Sequence, residues 1–306
     1  MTGDRTRMTD RSVPLRAVRT APVLPLWAAL ISAAAAGGLL TLAFPAISLW
    51  LAAFPAVGLL LVSLIGRRAW SALLVGFVYG AVFFLILVSW TARYLGPIPW
   101  LALALLEAAL TAAALVPITL AYRWIPRLPL PSYARTALLA VTVAALWIGR
   151  ELFVGNWPYG GFPWARIAYT LADTAAARVS SWIGISGLGF LMVLLVALVV
   201  ELARAGSRPR ALGFVAPVVL GIVLVALPAF PTTANGSMRI GAVQGNGPTG
   251  YFDQREPLSV LNAQTEATAP LYGKGMDLLV WPEGGLDGDP FQYPELAAGL
   301  DEVAAR

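Results

Sequence analysis

Ala72-Leu73-Leu74-Val75-Gly76-Phe77-Val78-Tyr79-Gly80-Ala81-Val82-Phe83-Phe84-Leu85-Ile86-Leu87 lies at the centre of a run, residues 70–91, that holds no charged side chain, and Arg67-Arg68 stand just before it. An α-helix rises about 1.5 Å per residue and the hydrocarbon core of a bilayer is about 30 Å thick, so about 20 apolar residues cross it. The run meets that length. Similar stretches lie on both sides of it, and the spacing predicts spans near 22–42, 45–65, 70–91, 99–122, 136–154, 179–203 and 211–230. Pro45, Pro97, Pro99, Pro158 and Pro163 fall at or between their ends, where a missing backbone donor is least harmful. Composition agrees: hydrophobic residues make up 58% of the 306 residues and charged residues 12%, against about 25% charged in soluble domains. The mean hydropathy is +0.75 and the pI about 9.8. The cations sit between apolar stretches and form no basic face, which argues against nucleic acid as a partner.

The cations also predict an orientation. Arg5, Arg7, Arg11, Arg16, Arg19, Arg67, Arg68, Arg123, Arg127, Arg135, Arg204, Arg208 and Arg210 fall on one side, and Arg93, Arg150, Arg166 and Arg178 on the other. The positive-inside rule then places residues 1–21 in the cytoplasm as a tail and everything after 230 outside. Small residues at Ala33–Ala36 resemble a cleavage site, but the apolar run continues past them, so an uncleaved first helix is expected. Trp27, Trp50, Trp70, Trp90, Trp100, Trp124 and Trp157 lie near span ends, as interfacial anchors do. Glu107 falls inside the fourth span; it reads as a protonated acid, a partner for a polar group on another helix, or a functional carboxylate. Glu201 is spaced to pair with Arg204. Between spans five and six, Gly155-Asn156-Trp157-Pro158-Tyr159-Gly160-Gly161-Phe162-Pro163-Trp164 cannot be a regular helix. It reads as an interfacial anchor or as a lining where lipid enters.

Composition shifts near Pro231-Thr232-Thr233-Ala234-Asn235-Gly236: six of the sixteen acids precede this point and ten follow it. The pattern divides the chain into a transmembrane domain, 22–230, of about seven helices, and a different domain, 231–306. Residues 238–243 read as a strand ending at a Gln244-Gly245-Asn246-Gly247-Pro248 turn, and 254–272 as a helix with Leu258, Leu261, Thr265, Ala269 and Tyr272 on one face. Met276–Trp281 reads as a strand of the buried type, and a second helix starts near Tyr293. This is the beginning of an α/β layer, in which functional residues stand at strand ends. Glu283 closes Leu278-Leu279-Val280-Trp281-Pro282-Glu283 and is placed there as a candidate general base, or as a solvated cap. The chain has no cysteine and no histidine, hence no disulfide, thiol nucleophile or imidazole base and little to bind zinc; no cofactor or metal is expected.

Several of these stretches, in order, resemble the apolipoprotein N-acyltransferases of bacterial lipoprotein maturation. They are Thr41-Leu42-Ala43-Phe44-Pro45, Arg150-Glu151-Leu152-Phe153, Gly161-Phe162-Pro163-Trp164, Val243-Gln244-Gly245-Asn246, Ala269-Pro270-Leu271-Tyr272-Gly273-Lys274 and Val280-Trp281-Pro282-Glu283. The richness in arginine and alanine looks actinobacterial. The resemblance implies a polytopic helical membrane domain followed by an outward-facing nitrilase-like α-β-β-α sandwich with a Glu-Lys-Cys triad. It implies a phospholipid acyl donor, a cysteine thioester, and transfer to the α-amine of diacylglyceryl-cysteine in a lipoprotein. The Trp-Pro-Glu match carries the family's base onto Glu283. The family's lysine and cysteine lie well beyond that strand, and Lys274, the chain's only lysine, belongs to the turn before it and receives no oxyanion role. A cysteine-free chain makes no thioester, so the sandwich is expected to be incomplete, the 306 residues to be an N-terminal part of a longer enzyme, and the part alone to be inactive; the alternative is a natural short, inactive homologue.

Two rivals stand beside this reading. One is a membrane-tethered carbon–nitrogen hydrolase, against which the apolar spans and aromatic loop argue. The other is a non-catalytic membrane scaffold for a glycosyltransferase partner such as a polyprenol-phosphate mannose synthase, to which actinobacterial members are sometimes joined. An incomplete α/β layer exposes a strand edge, so poor independent stability is expected of 231–306.

Overall fold

A computed structural model describes residues 21–45, 47–204, 214–254 and 256–306. The tail up to residue 20, with Arg5, Arg7, Arg11, Arg16 and Arg19, lies outside the described residues, as do Arg208, Arg210 and the first residues of the predicted seventh span. All seven apolar segments contain helices. The α-helices are α1 (Leu26–Ala43), α2 (Ala53–Leu64), α3 (Ala69–Leu87), α4 (Trp90–Leu95), α5 (Pro97–Trp124), α6 (Ser132–Val154), α7 (Ser180–Arg204) and α8 (Val215–Ala226). Five of these, α1, α3, α5, α6 and α7, are long and apolar enough to cross a membrane.

The second and seventh segments are shorter than their composition suggests. The chain turns after Phe44, Ser48 takes a φ of 56°, and helix resumes only with a 3-10 turn at Trp50–Ala52 leading into α2. Helix α8 stops at Ala226 because Pro228 disfavours helical geometry at Leu227, which adopts extended backbone. At about 1.5 Å per residue, α8 rises about 18 Å, well short of the hydrocarbon thickness. The predicted third span is also divided: α3 ends at Leu87, and α4 is a separate short helix before Gly96, whose φ of 86° restarts the chain into α5.

Small residues decide how the long helices pack. A Cβ placed on Gly76 would come 2.9 Å from the Cα of Ala112, and one on Gly80 would come 2.8 Å from the Cα of Ala108. The Gly-x-x-x-Gly face of α3 therefore lets the α5 backbone approach directly, and dispersion rather than water exclusion holds the pair, as lipid tails leave no hydrophobic driving force. Helix α1 uses the same device, burying Ala29, Ala33 and Ala36. Helix α7 is interrupted at Gly184, with φ 70° and ψ 174°, and then continues to Arg204.

The two ends of this bundle differ. At one end, Arg67 donates to the carbonyl of Leu24 at 2.9 Å, Arg135 donates to Pro126 at 3.2 Å, and Arg204 lies over the Tyr122 ring. Arg204 also pairs with Glu201 at 2.5 Å, as their spacing predicted. At the other end, the Trp90 ring of α4 packs 5.2 Å from Trp164 in the loop after α6. Trp182 at the start of α7 donates to Pro228 at 2.8 Å, and the Phe230 amide donates to Ser181 at 2.7 Å. The chain after α8 thus emerges at the aromatic end. Trp100 is half-buried there, donating to the carbonyl of Leu85 at 3.2 Å.

The C-terminal part holds β1 (Ile240–Ala242), α9 (Ser259–Thr268), β2 (Leu278–Val280) and α10 (Pro294–Ala304). The strands pair in parallel, Ile240 with Leu278, Gly241 with Leu279 and Ala242 with Val280. Helix α9 is shorter than the predicted 254–272, because Leu258 adopts φ 63° and Pro270 sits in a closing 3-10 turn. Its buried face is Val260, Leu261, Gln264 and Thr268, rotated from the predicted one, and Gly299 of α10 packs on Leu261. The predicted buried character of β2 is not met: Leu278 is 47% and Val280 44% exposed. The cause is the sheet itself, which among the described residues has two strands only.

Candidate active site

Glu283 lies just beyond the C-terminal end of β2, in a turn closed by the Gly285 amide donating to the Pro282 carbonyl at 3.0 Å. Trp281 fixes the approach to that turn: its indole N–H donates to the Thr268 hydroxyl at 3.0 Å, tying the strand end to α9. The Thr268 hydroxyl in turn donates to the Gln264 carbonyl at 2.7 Å. At the neighbouring strand end, the Val243 amide donates to the Val280 carbonyl at 3.0 Å and the Gly245 amide to Oε1 of Gln264 at 2.5 Å. Parallel strands bring their C-terminal ends together, so Gln244 and Glu283 reach the same place.

That place is a cleft of about 790 Å³, lined among others by Gln244, Asn246, Asp253, Gln264, Glu283 and, from the helical bundle, Arg93 and Tyr94. The bundle and the C-terminal part are joined at its rim. The Tyr251 amide donates to the Tyr94 carbonyl at 2.9 Å, and the Phe252 ring lies so close to Gly96 that a Cβ there would approach it to 3.1 Å. Glu283 is exposed to the cleft. Lys274 stands at the opposite end of β2, outside the cleft, where its carbonyl accepts from Arg239 at 2.6 Å. A second, larger cleft of about 1140 Å³ lies against β2 and α10, lined by Leu279, Trp281, Leu300 and Val303 among others.

A separate group of polar side chains lies inside the bundle. Glu107 of α5 is 3% exposed, and Arg150 and Glu151 of α6 are also buried. Glu151 Oε1 accepts from the Trp147 indole at 2.9 Å and from the Ile167 amide at 3.0 Å, with Arg150 Nη2 at 3.4 Å. Arg150 Nη1 donates to the Thr111 hydroxyl at 3.1 Å. Glu107 takes no hydrogen bond from the described residues and lines a cavity of about 10 Å³ with Arg150, Glu151 and Arg166. Glu107 and Arg150, on neighbouring helices, line this same small cavity, with no ion pair between them among the described residues. The carboxylate of Glu151 bolts the end of α6 to the start of the 3-10 turn Ile167–Leu171, and so holds the aromatic loop in place. Arg150 is buried in the bundle beside Glu151, and the signal for that is two adjacent charges within the predicted span 136–154. No such signal pointed to Arg93 and Tyr94 as cleft residues, because only the fold brings α4 to the C-terminal part.

Comparison with known proteins agrees with this architecture. Residues 36–198 match the family model described as the apolipoprotein N-acyltransferase N-terminal domain. An apolipoprotein N-acyltransferase of Azotobacter vinelandii is 30% identical over 292 residues, covering 92% of this chain and 55% of that protein. One from Pseudomonas putida is 32% identical, covering 85% and 52%, and one from Vibrio parahaemolyticus 27% identical, covering 90% and 54%. The chain spans about half the length of the curated relatives it matches. With five helices long and apolar enough to span a bilayer, it is a multi-pass membrane protein. The family model covers more than half of the chain, from within α1 to within α7, and the chain belongs to the apolipoprotein N-acyltransferase family.

Proposed function

We propose that the protein serves in lipoprotein N-acylation, with Glu283 as the general base. In this reading residues 22–230 form the membrane domain and 231–306 the first part of a nitrilase-like domain. The cation-rich end of the bundle faces the cytoplasm, so the cleft opens outward. A phospholipid supplies the acyl chain and a diacylated lipoprotein receives it. A carboxylate base takes the proton of a thiol, the thiolate attacks the acyl ester, and the lysophospholipid leaves with a proton. The free α-amine of the lipoprotein then attacks the thioester, forming an amide and restoring the thiol. These 306 residues contain no cysteine, so they supply the base and the lipid-facing scaffold but not the thiol.

The observation that carries the reading is the position of Glu283. It stands at a parallel strand end, in a cleft whose opposite rim is built by α4 at the aromatic end of the bundle. A soluble substrate needs no such rim, which disfavours the hydrolase rival. The test is the acylation state of lipoproteins, read by mass spectrometry in cells whose only copy of the reading frame carries Glu283→Gln. Loss of a general base lowers rate by about 10²–10⁴-fold, so diacylated lipoproteins accumulate and Glu283→Asp restores part of the activity. Unimpaired N-acylation with Glu283→Gln removes the assigned role. The 306 residues expressed alone are expected to transfer no acyl chain.

A further inference from the structure

From the cleft geometry we infer that Arg93 binds the phosphate of the phospholipid acyl donor. The inference rests on the acyltransferase reading and adds to it a recognition site supplied by the membrane bundle.

Arg93 lies in the last turn of α4, next to Tyr94, whose carbonyl is held by the Tyr251 amide. Two neighbours on this helix fix its position: Trp90 packs on Trp164, and the Trp90 and Tyr94 rings meet edge to face at 6.2 Å. The helix is thus pinned on one side to the aromatic loop and on the other to the C-terminal part. Arg93 itself forms no hydrogen bond or ion pair with the described residues. It is the only cation among the described residues that line the cleft, where Asp253 and Glu283 supply negative charge. Its planar guanidinium therefore has its donors available, and their fork geometry matches two phosphate oxygens.

The height of the site argues for a lipid. Trp90, Tyr94 and Trp164 form an aromatic belt of the kind found at the headgroup level, and just beyond them Ile98 and Leu101 are exposed apolar residues on α5. A cation at that level meets the phosphates of the outer leaflet. Chemistry separates the two substrates as well. The acceptor brings an α-amine to the reaction, which a neighbouring cation repels when it is protonated. The donor carries a phosphodiester on the same glycerol as its scissile ester, so a guanidinium that holds the phosphate brings the ester toward the cleft. Arg93 reads the phosphate, which phosphatidylglycerol and phosphatidylethanolamine share.

The test uses the purified full chain in amphipol and follows quenching of its tryptophan fluorescence by three probes. These are dihexanoyl phosphatidylglycerol, which carries phosphate and acyl chains; dioctanoylglycerol, which lacks phosphate; and inorganic phosphate, which lacks acyl chains. Arg93→Gln is expected to raise the Kd for the phospholipid about ten-fold or more, the range for losing hydrogen bonds to a charged group. Arg93→Lys recovers part of the affinity, Arg178→Gln changes nothing, and dioctanoylglycerol binds wild type and Arg93→Gln equally. Inorganic phosphate binds far more weakly than the phospholipid, which identifies a lipid and not a free anion as the ligand. Unchanged phospholipid affinity in Arg93→Gln overturns the inference. So does an equal loss for dioctanoylglycerol, the absence of saturable phospholipid binding in the wild type, or a selective loss of a synthetic diacylated lipopeptide. The acyltransferase reading fails separately: phospholipid that binds through Arg93 in a protein indifferent to Glu283→Gln keeps this site and removes that function.

Discussion

The helical bundle and the C-terminal part solve the problem of burying backbone in opposite ways. In the bundle each helix satisfies its own hydrogen bonds, and contact is then a matter of letting smooth surfaces approach, as Gly76 and Gly80 do against Ala108 and Ala112. The C-terminal part depends on pairing between distant residues. Its two strands share one short ladder, and their other edges and much of their side-chain surface are open. Side chains hold it together instead: Gln264 on the Gly245 amide, Trp281 on Thr268, and Asp287 on the first amides of α9. Stability therefore resides in different places. The bundle is determined by local composition, whereas the C-terminal part borrows order from long-range polar contacts and from its seat on α4.

Mutations sharpen that contrast. The largest effect is expected at Glu151, where replacement by leucine leaves Arg150 buried without its partner and frees the Ile167 amide. Breaking one side of a buried pair costs about 3–5 kcal/mol in soluble proteins, and the unfolding midpoint in detergent should fall accordingly. The double replacement Arg150→Met with Glu151→Leu should recover much of the loss. If the single and double variants are equally damaged, the pair is not the reason for the damage. Next comes Gly80→Leu, which forces a side chain against the Ala108 backbone and should destabilise the bundle by about 1–3 kcal/mol. An unshifted midpoint would refute the close α3–α5 contact.

Asp287→Ala tests the other region. Its carboxylate accepts from the Val260 amide at 3.2 Å and the Leu261 amide at 3.0 Å, satisfying free donors at the start of α9. Losing such a cap costs about 1 kcal/mol, and hydrogen exchange should speed up over 259–268 while the bundle is unchanged. A change that spreads into α3 or α5 would show that the two regions are not stabilised independently. The smallest effect is expected for Glu201→Gln: the pair with Arg204 lies at a helix end with Arg204 part-exposed, and such pairs contribute about 0.5 kcal/mol or less.

Much of the bundle was legible because the bilayer imposes length and polarity on consecutive residues. Residues 70–91 could be read alone, and so could the ends marked by Pro97 and Arg67-Arg68. What composition could not supply was where helix begins within an apolar run: Ser48 and Pro228 shorten two segments by backbone geometry that hydropathy does not register. In the C-terminal part the two strands, and the place of Glu283 just beyond the second, were legible from local pattern. The buried face of α9 was not, because a ten-residue helix packed on one side by α10 and on the other by a strand end is set by its partners. Arg93 was invisible as a cleft residue for the same reason: 93 and 283 are brought together only when the bundle's aromatic end receives the C-terminal part.

The aromatic loop and the Glu283 cleft share one end of the bundle, and in the proposed function this end faces outward. In the 306-residue chain, which has no cysteine, single cysteines can be introduced without background at Tyr159, at Ser237 and at Tyr133, all exposed positions. Labelling intact cells with a membrane-impermeant maleimide, with permeabilised cells as the control, reads the side of each. Labelling is expected at Tyr159→Cys and Ser237→Cys in intact cells, and at Tyr133→Cys only after permeabilisation. Labelling of Tyr133→Cys in intact cells, or protection of Ser237→Cys there, would contradict that orientation.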